Sequence, residues 1–507
     1  MCFATQVSSA RPFSQGRLII GAPFDLAPIN PFYTSTTLSG NIVEIIFDPL
    51  INLDRTYTMT PLLAKSWETS ADQLTWTFHL EPKITFHDGK PLTAADVVFT
   101  YNVLIKQDTP LYTRALNNVA SVLANDATTV VFQLKKIDQS FPMLLRRVSI
   151  APQHLFDERG EPLLKNYYEH PVGSGAFQAV SVTPKQITLQ AYPNYFQGAP
   201  KLQNIVFEAL DSEKQLLSKL ISGDVDVDVF FDVRYLDTTE NIPHLVKTTY
   251  DSQHLFALFF NVRTPLFTDT RVRQALNYAV NKDALYGKLV SGNGSVATSV
   301  VSPHNFFYNN EVKSYAQNPS KALELFAAAG WTLNPKTHQL CKNGMPFQFT
   351  ILLVEGSPFL EKVVNMISND LSELGITVTT KTLTIPLVTK TLFVDHDYDA
   401  AIFPFSNLFP IDFDSLLWNK AEQFNFTGYN NAAVTTALTT AREAMTRPES
   451  VAAYKEFQQA IHDDPPALYL FWRDVSLICN KRVQGMSTDP FRFFSDMRNV
   501  WVEEPKP

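Results

Sequence analysis

The sequence predicts an α/β protein of two lobes, with the chain passing between them twice, and three observations predict it. At 507 residues the chain exceeds what a single hydrophobic core organises. The grammar of its elements changes near Leu255–Phe260: hairpin-like strands precede that run, and strands separated by helices follow it. Two continuous apolar runs, Leu255–Phe260 and Leu468–Trp472, read as strands buried on both faces, placed where the chain would cross from lobe to lobe. With 45% hydrophobic and 18% charged residues, the composition is that of a chain that folds.

In the first half, Leu18–Ala22 (LIIGA) is a short strand, followed by a Pro-rich loop, DLAPINPFY, and an apolar helix around Asn41–Leu50. Leu74, Trp76, Phe78 and Leu80 alternate with polar residues, the period-two pattern of a strand with one buried face, and Glu81-Pro82 ends it. Ile84–Phe86 begins another strand. His87-Asp88-Gly89-Lys90 turns the chain, and Thr93 caps a helix with Asp96 three residues on. Thr129–Leu134 is a strand, and residues 157–170 form a charged loop. Gly173-Ser174-Gly175-Ala176-Phe177 leads into strands Phe177–Val182 and Ile187–Tyr192, closed by Pro193–Phe196. A helix over Ser212–Ser222 ends at Gly223, and Val225–Phe231 alternates aspartate with apolar residues.

In the second half, Asn261 stops the first apolar run. Phe347–Val354 is a strand, and Pro358–Gly375 a helix with Phe359, Val363, Ile367, Leu371 and Leu374 at helical spacing. Strands at Ile376–Leu383 and Tyr398–Phe403 are separated by a further helix, which predicts crossovers and a mainly parallel sheet. Helices at Ala432–Met445 and Pro448–His462 precede the last buried run. Two lobes tethered twice leave a cleft, the preferred place for a small ligand and one that hinge motion can close.

The net charge of −8 comes without a basic block, which argues against nucleic acid as a partner. No apolar window reaches the length of a membrane span, and no signal-peptide pattern opens the chain. Cys2 is either the lipid-bearing first residue of a mature lipoprotein or incidental. Cys341 and Cys479 are either two unpaired thiols or a single bridge. Catalytic machinery is not found: there is no Gly-x-Ser-x-Gly, His-Glu-x-x-His or phosphate-binding loop, and His396-Asp397 reads as a solvated turn. No metal site and no cofactor are expected.

The string PLLAKSWETSADQLTWTFHLEPKITFHDGKPLTAADVVFTY at 61–101 resembles the signature of the bacterial solute-binding proteins of ABC importers, family 5. HPVGSGAFQAVSV at 170–182, LFALFFNVRTPLFTDTRVRQALNYAVNKDAL at 255–285, KALELFAAAGW at 321–331, NDLSELGITV at 369–378 and YDAAIF at 398–403 are similar to further motifs of that family, in the same order. The resemblance implies a type II periplasmic-binding fold with one lobe from 1–47, 169–260 and 473–507, an inserted domain at 48–168 and a second lobe at 261–472. It implies a monomer outside the cytoplasm, periplasmic or membrane-anchored, that captures a peptide or peptide-sized polar solute and delivers it to an ABC permease. Nickel-chelate, haem or oligosaccharide binding is the alternative on the same fold, and a secreted hydrolase the alternative from another class.

By the resemblance, the cleft is lined by Asn30, Pro31, Phe32 and Tyr33, then by Asn261, then by Phe405, Ser406, Asn407 and Asp412. Phe32 and Phe405 fit a pocket wall or plain core. Asp412 and Asp414 fit ligand contacts or caps of the helix that includes Trp418. Peptide-type relatives carry in this loop an aspartate that pairs with the ligand's amine; the matching position here is Ser406, with Asp412 later. Asp232 and Arg234 reach a ligand from a loop or are solvated. Arg473, after the second buried run, clamps a carboxylate or makes a structural ion pair. Trp418 and Tyr429 are pocket walls or core.

Overall fold

The computed structural model describes residues 16–33, 37–107, 113–229, 239, 242–290, 292–406, 410–419, 424–489 and 491–503. The chain divides into two compact units: unit 1 comprises Met1–Lys136, Phe141–Tyr250 and Val475–Pro507, and unit 2 comprises Ile137–Ser140 and Asp251–Asp474.

Unit 1 opens with β1 (Arg17–Ala22) and α1 (Thr37–Ile46). β2 (Ala64–Thr69), β3 (Thr75–Leu80), α2 (Ala94–Gln107), β4 (Val119–Ala124) and β5 (Thr129–Leu134) follow. Then come β6 (Phe177–Val182), β7 (Gln186–Ala191), β8 (Asn204–Ala209), α3 (Glu213–Ser222) and β9 (Val227–Asp228). The larger sheet runs β9-β1-β8-β7-β6, with β1 parallel to both its neighbours and the remaining pairs antiparallel. Its core gathers Leu18, Ile20, Ile46, Phe177, Leu189, Phe207 and Met497. A separate antiparallel sheet, β2-β3-β5-β4, buries Phe78 and Phe132 edge to face at 5.8 Å, and Tyr101 of α2 meets Phe132 at 4.8 Å.

Two boundaries in this unit differ from the sequence reading. α1 lies about a turn earlier than expected, because Pro49 has no N–H to donate to Ile45 and disfavours helical backbone at Asp48; the Ile46 carbonyl accepts instead from the Gly175 N–H at 2.8 Å. Ile84–Phe86 forms only an isolated bridge, Thr85 opposite Pro91, since the turn closes at once and the chain is helical by Ala94. The Phe86 N–H donates to the Lys90 carbonyl at 2.8 Å, Asp88 accepts from the Lys90 N–H at 3.1 Å, and Gly89 takes φ +82°. Thr93 and Asp96 meet at the start of α2 as expected, the Asp96 carboxylate accepting from the Thr93 N–H at 2.8 Å.

The chain leaves unit 1 in β10 (Leu245–Phe260) and returns in β15 (Ala467–Asn480), both longer than the buried runs that announced them. Within unit 1, the far end of β15 pairs with β9, Val227 opposite Cys479. Every residue from Leu255 to Phe260 is at most 6% exposed, as a strand covered on both faces requires.

Unit 2 contains α4 (Thr270–Ala279), β11 (Gly294–Val296), β12 (Gln348–Val354), α5 (Pro358–Ser372), β13 (Thr377–Leu383), β14 (Ala400–Ser406), α6 (Pro410–Trp418), α7 (Ala432–Glu443) and α8 (Arg447–Asp463). Its strands run β13-β12-β14-β10-β15, with β11 on β15. β12 is parallel to β13 and β14, but β10 with β14 and β11 with β15 are antiparallel, so the sheet is mixed where the sequence reading expected it mainly parallel. Helical crossovers oblige only the strands they join to be parallel; β10, which brings the chain into the unit, is under no such constraint. The helices form where their caps allow. Ser357 accepts from the Leu360 N–H, and at α8 Thr446 and Glu449 close a reciprocal capping box. Val363, Ile367 and Leu371 of α5 pack with Phe256, Leu258, Ile351 and Ile402 of the sheet.

Candidate functional site

In unit 2, three strands bring residues into one neighbourhood. His254 of β10 stands opposite Ser406 of β14, and Leu255 opposite Phe405. On β15, Arg473 is half-buried, with its guanidinium carbon 4.9 Å from the Phe359 ring centre. Phe359, the second residue of α5, meets Phe256 at 5.4 Å and Phe471 at 6.2 Å, and Phe256 stacks on Phe471 at 5.0 Å. Three rings therefore fix the platform on which the cation rests. Opposite Arg473 lies Gly294 at φ +142°, where a Cβ would stand 2.0 Å from the Trp472 carbonyl oxygen. Burial first, and the Arg473 charge second, push the His254 imidazole down to about 4, so it is neutral near pH 7.

Phe405 is 7% exposed, and Phe259 meets both Phe405, edge to face at 6.3 Å, and Trp418, stacked at 6.4 Å. The Trp418 indole N–H donates to the Asp414 carboxylate at 3.0 Å, and the Tyr454 hydroxyl donates to the same carboxylate. Asp412 and Asp414 sit inside α6 rather than before it, so the capping role weighed for them does not apply; helix formation begins already at Pro410. Asp414 is fully buried and serves as an acceptor hub, a role that its place in the chain does not distinguish from that of a cap. Tyr429 is buried edge to face on Trp418 at 6.1 Å. Asn407, Asp232 and Arg234 lie outside the described residues, as do the side chains of Ser406 and Asp412.

Asn261 ends β10 by tying the chain to the loop before β14. Its amide N–H groups donate to the carbonyls of His396 at 3.0 Å and Tyr398 at 2.8 Å. It is 2% exposed.

In unit 1, the Asn30 side chain accepts from the Phe32 N–H at 2.9 Å and its amide donates to the Tyr168 hydroxyl at 3.3 Å. Phe32 is buried edge to face on Phe156 at 5.1 Å, with Pro31 buried beside it in the chain, whereas Tyr33 is 62% exposed. Close by in sequence interest, the two glycine-bearing motifs form one latch. His87 donates from its N–H to the Gly173 carbonyl at 2.9 Å; its Nδ1 accepts from the Gly173 N–H at 3.2 Å, and its Nε2–H donates to the Gly175 carbonyl at 2.9 Å. Burial holds His87 down to about 4. Next to the latch Asp48 accepts from Tyr195 at 2.9 Å and Ser174 at 3.0 Å, and burial raises its carboxyl to about 6.

Arg473, Phe405 and Ser406 are legible in the sequence as candidates, but His254 and Phe359, which the fold brings to the same neighbourhood, are not. The one available signal was the position of His254, directly before the buried run of β10. Both cysteines within the described residues, Cys341 and Cys479, are free thiols, which decides against a bridge between them. Among the described residues no three His, Cys, Asp or Glu side chains gather to hold a metal, and no helix is long and apolar enough to cross a membrane.

The family model described as "Bacterial extracellular solute-binding proteins, family 5 Middle" matches residues 58–427. The oligopeptide-binding protein AppA of Bacillus subtilis is 26% identical, the alignment covering 98% of this chain and 93% of AppA. Heme-binding protein A of Haemophilus influenzae is also 26% identical, over 88% of this chain and 85% of its own. Among solved structures, AppA from Bacillus subtilis in complex with a nonapeptide superposes with a TM-score of 0.84 at 25% identity, over 97% of this chain and 99% of that one. NikZ from Campylobacter jejuni in complex with Ni(L-His) superposes with a TM-score of 0.85 at 22% identity, over 96% of this chain and 100% of that one.

Proposed function

Because this chain belongs to the bacterial extracellular solute-binding proteins of family 5, and has their type II periplasmic-binding fold, we propose that it is the substrate-binding component of an ABC importer. It captures a peptide or peptide-sized polar solute and passes it unchanged to a membrane permease. The observation that carries this reading is the likeness to an oligopeptide-binding protein over nearly the full length of both chains. Two-lobe capture, as expected from the sequence, is part of the proposal: only a solute that binds the closed form better than the open one shifts the population toward closure. So is the division into lobes at 1–47, 169–260 and 473–507 and at 261–472, with an inserted domain at 48–168. The protein works outside the cytoplasm as a monomer, without catalysis.

The site residues proposed are Asn30, Phe32, Tyr33, Asp232, Asn261, Phe405, Ser406, Asn407, Asp412, Trp418 and Arg473. For Phe32, Asn261 and Trp418, whose side chains already pack or bond internally, the proposed role is to shape the wall rather than to reach the solute.

Native mass spectrometry of the full chain incubated with a tryptic digest of casein tests the reading, alongside haem and Ni(L-His). Retention of intact peptides supports it. Selective retention of haem or the nickel chelate moves the assignment to the second reading, which the haem-binding relative favours. Peptide cleavage during incubation overturns both.

A further inference from the structure

The His396-Asp397 pair, which the sequence alone reads as a solvated turn, lines a cavity of about 290 Å³ in unit 2 with Asp399, Thr350 and Lys381. The cavity lies away from the Arg473 neighbourhood. Asp399 immediately precedes β14 and Ser406 ends it, roughly 20 Å apart at the rise of an extended chain. The loop that forms the wall is held from several sides. The Asn261 amide donates to the His396 and Tyr398 carbonyls, the Asn261 N–H to the Asp399 carbonyl at 2.8 Å, and the Thr350 N–H to the Asp399 carboxylate at 2.9 Å. His396 follows a π-helical turn, Thr391–Asp395, and takes φ +52°; both features are uncommon, and π turns gather at functional sites.

The chemistry of the lining is mixed in sign. His396 Nδ1 lies 2.7 Å from the Leu392 carbonyl, which can only accept, so Nδ1 carries the hydrogen and Nε2 of the neutral ring is left as an acceptor. Lys381 of β13 stands across from Leu352 of β12, and neither its side chain nor that of Asp397 has a hydrogen bond or ion pair among the described residues. One cation thus faces two carboxylates and an imidazole across a small space. An amine alone would meet Lys381, and an anion alone would meet Asp397 and Asp399. A metal ion is not indicated, since no three such side chains converge among the described residues. A molecule carrying an ammonium and a carboxylate a few atoms apart satisfies both signs through charge-assisted bonds. At the small end of ligand pockets, the volume suits a free amino acid and not a peptide-sized solute.

We propose that unit 2 carries a second small-ligand site that takes a free amino acid as its zwitterion, the ammonium on Asp397, Asp399 and His396 Nε2 and the carboxylate on Lys381. The inference stands independently of the carrier reading.

The test is equilibrium dialysis of the full chain against three labelled probes: alanine, ethylamine, which lacks the carboxylate, and propionate, which lacks the amine. Alanine should bind saturably and roughly tenfold or more tighter than either analogue, the scale of one charge-assisted hydrogen bond. Lys381→Met and Asp397→Asn, both at exposed side chains, should each weaken alanine binding about tenfold while capture of a casein tryptic digest, read by native mass spectrometry, stays at the wild-type level. No saturable alanine binding, an analogue bound as tightly as alanine, or alanine binding untouched by both variants overturns the proposal and leaves the carrier reading intact. Failure to capture peptides with alanine still bound at this cavity overturns the carrier reading alone. The three wild-type arms decide on the zwitterion even where a variant folds poorly.

Discussion

Gly173→Ala should be among the most damaging single-methyl changes available in this protein. A Cβ built at Gly173 would stand 2.0 Å from the Ile46 carbonyl oxygen, 2.8 Å from its carbon and 2.9 Å from the Phe47 ring. Two of those three atoms are backbone at the end of α1, where the Ile46 carbonyl is already fixed by the Gly175 N–H. The obstruction can therefore be relieved only by moving α1 or by moving the 173–175 segment off His87, which breaks the 3.2 Å bond from the Gly173 N–H to the imidazole and the 2.9 Å bond from the His87 N–H. Overpacking costs about 1–3 kcal/mol where side chains can yield. Adding a lost bond or two of about 1 kcal/mol each puts the expected loss at roughly 2–5 kcal/mol. The same chemical change at Gly287, inside the helix Lys282–Leu289 with nothing within 4 Å of the added carbon, should stabilise by about 0.5–1 kcal/mol, since it only removes backbone freedom from the unfolded chain. Urea unfolding followed by tryptophan fluorescence compares the two, with hydrogen exchange of the 173–175 and 86–90 amides to localise the effect. A Gly173→Ala midpoint equal to wild type, or protection of those amides unchanged, would refute the packing argument.

Three further outcomes follow from buried groups. Asp48, raised to about 6 by burial, holds a proton in the native state that the unfolded chain has lost, so its contribution is complete below pH 3.8 and disappears as pH rises through about 6; its magnitude is on the order of 3 kcal/mol. His87 and His254, both lowered to about 4, work in the opposite sense, contributing above pH 6.5 and losing that contribution as pH falls through about 4, so Asp48→Asn should gain stability from pH 4 to 6.5 more steeply than wild type in chemical denaturation. Asp414→Ala strands the Trp418 indole N–H and the Tyr454 hydroxyl in a dry interior and should cost about 2–5 kcal/mol, read as lost hydrogen-exchange protection across α6 and α8, whereas unchanged protection would show those donors satisfied elsewhere. Maleimide labelling at pH 8 should modify Cys341 in the native protein and reach Cys479, buried and pushed up to about 11, only after denaturation; prompt labelling of both would contradict the packing of β15 against β9.

The parts of this fold that could be read from the chain are those whose cause is local. Alternation in Thr75–Leu80, the Ser212 and Gly223 stops of α3, and the spacing of Val363, Ile367 and Leu371 in α5 each follow from a handful of neighbours, and the structure places those elements within a residue or a few of expectation. What was misplaced has two origins: α1 stops short of Pro49, a local signal that outweighs the apolar run around it, and β10 extends ten residues before its buried run through a segment whose own sequence has no such run. The candidate site divides the same way. Arg473 stands out as a charge adjoining a buried run, but the residues beside it, His254, Phe359 and Gly294, come from three other elements and carry no pattern of their own. A site assembled across several elements is invisible to periodicity, since its contributors are neighbours in the sheet and not in the chain. Its members come together only when register sets His254 across from Ser406 and Gly294 across from Arg473, so the neighbourhood is a property of pairing rather than of any motif.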